Sequence, residues 1–112
     1  MPTTAVVFIA LAATVGVMMA TMHWREKRPS LAFAVIHVGL AVAGLAVLVA
    51  ALTRNDLPPL GLYSAIAFGV AALGGVVLLL PARLRGVMPK KLFIAAHGLI
   101  AASAFVLLLL AV

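Results

Sequence analysis

Charged residues fall in three short clusters, and between them the chain reads as four apolar runs: Thr4–Met22, Leu31–Leu52, Leu60–Leu80 and Leu92–Val112. Each run holds about 20 residues without Asp, Glu, Lys or Arg, enough to cross roughly 30 Å of hydrocarbon at 1.5 Å per residue. Lipid offers the backbone no hydrogen-bond partner, so helices are the expected form. The pattern predicts transmembrane helices over about 4–22, 30–53, 60–81 and 90–111. Connections this short favour antiparallel neighbours. The expected fold is all-α: an integral membrane four-helix up-and-down bundle, a single membrane domain spanning 1–112.

Proline and small residues punctuate these spans. Pro29 suits the first turn of the second helix, where its missing N–H is harmless, and Pro89 does the same for the fourth. Asn55-Asp56-Leu57-Pro58-Pro59 ends the second helix, and Pro81 kinks or stops the third. Ala12, Gly16 and Ala20 form one small-residue seam, and Gly61, Ala65 and Gly69 another, with Gly74-Gly75 offering flexibility or close contact.

Sliding the chain by sixty residues aligns its halves without a gap. Matches among Ala, Leu and Val carry little weight in so apolar a chain. The pairs Phe8/Phe68, Arg25/Arg85, Pro29/Pro89, Phe33/Phe93 and His37/His97 carry more. They point to a duplicated helical hairpin, with one repeat at about 1–52 and the other at about 61–112. Two-helix units copied this way keep one membrane orientation, so the hairpins form parallel repeats about an axis along the membrane normal.

Composition supports the membrane reading: 67% of the 112 residues are hydrophobic, 9% are charged, and the mean hydropathy is +1.35. A net charge of +6 would suggest nucleic acid in a soluble protein, but here the cations report topology. Arg25, Lys27 and Arg28 occupy the first loop and Arg83, Arg85, Lys90 and Lys91 the third, whereas the second has only Arg54. Loops 23–29 and 82–91 are therefore expected in the cytoplasm, and both termini outside, in the periplasm if the membrane is a bacterial inner membrane. No basic segment precedes the first run, so a cleaved signal peptide is not expected. Without cysteine, disulfides and thiolate chemistry are excluded.

The candidate chemistry lies in the repeated Pro-x3-Phe-x3-His. His37 and His97 each fall eight residues past their proline, about 12 Å along parallel helices, and so at one depth. In a four-helix ring the second and fourth helices are diagonal, on the order of 14 Å apart. That separation is too wide for the imidazoles to touch and suits two of them reaching one metal at the centre of a macrocycle, a bis-histidine haem. Ala41 and Ala101 lie one turn outward and Gly44 and Ala104 two, leaving room for a flat ring, while Phe33 and Phe93 pack on its edge. Arg28, Lys90 and Lys91, with Arg25, are placed to reach haem propionates.

Met18, Met19, Met22 and His23 would suit copper(I) by composition, though their spacing closes no site and methionine is a common core filler. Small multidrug transporters have this size and helix count, but depend on a carboxylate inside the first helix. Here Glu26 and Asp56 are both in loops. No nucleophile–base pair or phosphate loop is present.

The arrangement around His37 and His97 resembles the transmembrane b-type cytochromes, in which parallel helices give two histidines to haem. The resemblance implies haem b as cofactor and electron transfer as activity, with a quinone or a larger redox complex as partner. An electron carrier or accessory subunit is expected rather than an enzyme. The alternative is an accessory subunit of a respiratory or photosynthetic complex, with the histidines binding separate chlorophyll-type pigments or nothing. The bilayer is the expected environment, nucleic acid is not an expected partner, and a homo-oligomer is open.

Overall fold

The computed structural model describes residues 1–112 and contains four helices: α1 (Pro2–Trp24), α2 (Leu31–Thr53), α3 (Pro59–Leu84) and α4 (Lys91–Ala111). Each is long and apolar enough to cross a membrane, and the molecule is 42 Å along its longest axis. α1 packs closely on α2 and α3 on α4, the α1/α4 and α2/α3 seams are lighter, and the diagonal pairs bring no Cα atoms within 8 Å. The result is an up-and-down bundle of two hairpins. One end carries the loops after α1 and α3 and is basic; the other carries both termini and the loop after α2.

The helix ends differ in detail from the expected ones. Neither Pro29 nor Pro89 is inside a helix; each stands two residues before one, with Ser30 and Lys90 as N-caps. The Ser30 hydroxyl supplies what the proline ring cannot, accepting the Phe33 N–H at 3.4 Å. Pro81 does not stop α3, which continues to Leu84; in the last turn only one ladder bond is lost to the ring. Glu26, Asn55 and Gly86 follow the C-caps of α1, α2 and α3 with φ of +58°, +58° and +66°. In α1 and α2 this left-handed residue lets the next N–H return to the helix, Lys27 to Met22 and Asp56 to Ala51.

Packing is concentrated toward the terminal end. Ala5, Ile9, Leu48 and Leu108 form the core, with Phe68 and Phe105 against it. Leu48 and Leu108, sixty residues apart, are both completely buried. Of the fourteen buried residues, only His23 and Ala34 lie between the histidines and the basic end. At that end the hairpins are joined reciprocally: Arg28 donates to the Gly86 carbonyl at 2.8 Å and Arg83 to the Pro29 carbonyl at 2.9 Å.

Glycines mark where helices touch. A Cβ on Gly44 would lie 2.6 Å from Ile9 Cγ1 and 3.3 Å from the Ile9 backbone N, whereas one on Gly69 would meet nothing within 4 Å. Gly69 therefore does not belong to the packed seam with Gly61 and Ala65. Gly44→Ala is expected to destabilise the bundle by about 1–3 kcal/mol through overpacking. Gly69→Ala is expected to change stability by less than about 0.5 kcal/mol. Unfolding in mixed detergent micelles, followed by circular dichroism, checks both.

Candidate functional site

His37 and His97 are each the seventh residue of their helix, which puts both about 9 Å in from the first residue at 1.5 Å per residue. The common depth expected from the repeat is present. The separation is smaller than expected. The two rings face each other across the bundle with centroids 6.4 Å apart and planes at 77°. The helices remain diagonal; it is the side chains, reaching inward, that span the gap.

Each imidazole lies on a glycine of its hairpin partner. A Cβ on Gly16 of α1 would be 2.9 Å from His37 Cε1, and one on Gly75 of α3 would be 3.1 Å from His97 Cε1. Any side chain at either position would push the ring away. Over Gly16, the His37 ring reaches the α1 backbone, where Nδ1 lies 2.8 Å from the Ala12 carbonyl oxygen. A carbonyl only accepts, and its second lone pair allows this bond beside the helical one. Neutral His37 therefore carries its proton on Nδ1 and leaves Nε2 as a bare lone pair.

His97 is held differently. Its buried Nδ1 makes no hydrogen bond of full geometry, although the Ala71 backbone lies close enough to act on the ring. The repeat would place Val76 and Ala72 where the first hairpin has Gly16 and Ala12. The ring rests one residue aside, on Gly75, where the Ala71 backbone stands to it as the Ala12 backbone stands to His37. An apolar groove of about 510 Å³ between α3 and α4 reaches His97, and Phe93 and Lys90 line it too.

The remaining expected site residues divide. Phe33, Ala41 and Ala101 are half-buried, whereas Phe93 is 51% exposed. Gly44 does not leave room at the bundle centre, because Ile9 and Phe8 of α1 fill the space beside it. Arg28 is engaged by Gly86, and the Lys91 ammonium lies 5.8 Å from the Trp24 ring centre, leaving Lys90 at the groove. The methionine group closes no site: Met18 is exposed and His23 buried. Gly16, Ala12, Gly75 and Arg83 were not among the expected site residues. Gly16 was readable only as part of a packing seam, although it falls at the depth of His37 on an adjacent helix.

The structure contains no cluster of three or more His, Cys, Asp or Glu side chains that would hold a metal ion. Comparison with protein-family models, with curated proteins and with solved structures finds no match for this chain.

Nitrogen-15 spectra of histidine-labelled protein in lipid check the local geometry. His37 is expected as the neutral tautomer protonated on Nδ1, and Gly16→Val is expected to abolish that state by displacing the ring. An Nε2-protonated His37 would contradict the bond to Ala12.

Proposed function

We propose that the chain is a small membrane b-type cytochrome, with His37 and His97 as the residues that would hold one haem b. The observation that carries this reading is the pair of imidazoles at one depth on diagonal helices, with centroids 6.4 Å apart. A metal about 2.0–2.1 Å from each ring nitrogen would need centroids about 6.3 Å apart with both Nε2 atoms turned inward, so the spacing is compatible with one metal between the rings once they turn. The donor set agrees. Two histidines are too few for a bare ion, which takes three or four protein ligands, but suffice for iron that a macrocycle already binds equatorially. Light packing between the histidines and the basic end favours a planar group there over the crowded terminal half.

When bound, haem supplies a one-electron redox centre; with two histidines on the iron no position stays open, so electron transfer is the activity it supports. His37 orients: its Nδ1 proton, held by the Ala12 carbonyl, fixes the tautomer that leaves Nε2 free to ligate. Gly16 and Gly75 set how far each ring reaches. Lys90 is the cation best placed for a propionate. A redox partner in the membrane, or a larger complex with the chain as a subunit, would take up that electron.

Orientation belongs to the same proposal. The basic end faces the cytoplasm and both termini the outside of a bacterial inner membrane. The chain lacks native cysteine, so single Cys variants report this directly. In intact cells an impermeant maleimide is expected to label Arg54→Cys, and Lys27→Cys only after permeabilisation; the reverse would overturn the orientation.

The cofactor is tested by the visible spectrum of detergent-purified protein expressed with ample haem. Reduction is expected to give the sharp bands of low-spin haem, lost in both His37→Ala and His97→Ala. A colourless wild type would refute the proposal. Far-red absorption would favour a chlorophyll-type pigment.

A further inference from the structure

The basic end holds a pair of fixed cations that the proposed function leaves idle. We infer that Arg83, with Arg28 in the same cross-hairpin joint, binds the phosphate of an anionic phospholipid whose acyl chain lies in the groove between α2 and α3. This site stands independently of any cofactor.

Three observations carry it. First, the two arginines are locked together. Arg83 donates to the carbonyl of Pro29, the residue after Arg28, at 2.9 Å, and Arg28 donates to the Gly86 carbonyl at 2.8 Å. Both acceptors are neutral, and each bond uses one terminal nitrogen of a fork with five N–H donors. Two exposed guanidinium groups are thus fixed in place, and neither charge is neutralised by the bond that holds it. Second, counter-charge is scarce at that end. Its first loop carries Arg25, Lys27 and Arg28 and its other loop four more cations, against the single acid Glu26. A phosphate is the anion that a planar guanidinium recognises by paired bonds. Third, Arg83 is the one charged residue lining an otherwise apolar groove of about 330 Å³. The α2 wall of that groove runs from Leu31 through Val35 to Gly39, ~12 Å at 1.5 Å per residue, within a leaflet of roughly 15 Å. A Cβ on Gly39 would meet nothing within 4 Å, so the groove is open at its inner end.

A cation at the membrane surface with an apolar channel running inward from it fits an amphiphile better than a free anion. The headgroup must also be net negative, because the ammonium of a zwitterionic lipid is repelled by the surplus of cations around it. The lipid would bridge α2 and α3, whose seam is lighter than those within the hairpins. By binding only the assembled bundle it would hold the hairpins together at the end where few side chains are buried.

Native mass spectrometry of the full chain in non-ionic detergent, titrated with phosphatidylglycerol or with phosphatidylcholine of the same acyl chains, tests the site. Phosphatidylglycerol is expected to bind about tenfold more tightly. Arg83→Gln is expected to weaken it about tenfold, whereas Lys27→Gln, which removes the same charge from the same end, is expected to change it less than about twofold. Gly39→Leu fills the groove from an open position and is expected to weaken binding about tenfold as well; Gly69→Leu, at a glycine equally open, is the control. Circular dichroism confirms that each variant is folded, and Gly39→Leu carries the test alone if loss of the Arg83 bond unfolds the joint. Equal binding of the two lipids, an Arg83→Gln no weaker than Lys27→Gln, unchanged binding in folded Gly39→Leu, or displacement of the lipid by inorganic phosphate would each overturn the inference.

Discussion

An imidazole in hydrocarbon must find both a place to lie and something to bond, because an unpartnered polar group there costs several kcal/mol. The bundle meets the first need twice in the same way, by setting a glycine on the neighbouring helix beneath each ring. The ring then lies against bare backbone, and each hairpin closes tightly around it. Because the hairpins face each other, the rings held in this way meet at the bundle centre. The rest of the structure follows from where that layer sits. Beyond it toward the termini the helices pack through Ala5, Ile9, Leu48 and Leu108; toward the basic end they are joined mainly by loops and two arginine bonds.

Much of this was legible from the residues alone. Span length and charge placement give four helices, because the bilayer admits few other solutions. The sixty-residue spacing gives equal depth, and it survives a shift in helix start because Pro29 and Pro89 moved outside their helices together. What could not be read was lateral. A ring of regular helices puts the diagonal too far apart for contact, but that picture omits side-chain reach and the closeness that small residues permit. Gly44 shows the same limit: sequence places it on the histidine face, and only the packing shows Ile9 beside it. Gly16 was visible as a small residue, yet nothing along the chain says which ring will lie on it.

The difference between the two halves is as informative as their likeness. A repeat preserves depth, but valine stands at 76, the counterpart of Gly16, and the His97 ring rests one residue aside, on Gly75.

The account depends on both imidazoles binding one iron in the orientation they have across the bundle. Electron paramagnetic resonance of the oxidised, haem-loaded protein measures this most directly. With ring planes near the observed 77°, a single highly anisotropic low-spin signal is expected. A high-spin signal would mean that the histidines do not both ligate, and a rhombic signal from parallel rings would mean that they do not meet as described; either would contradict the account.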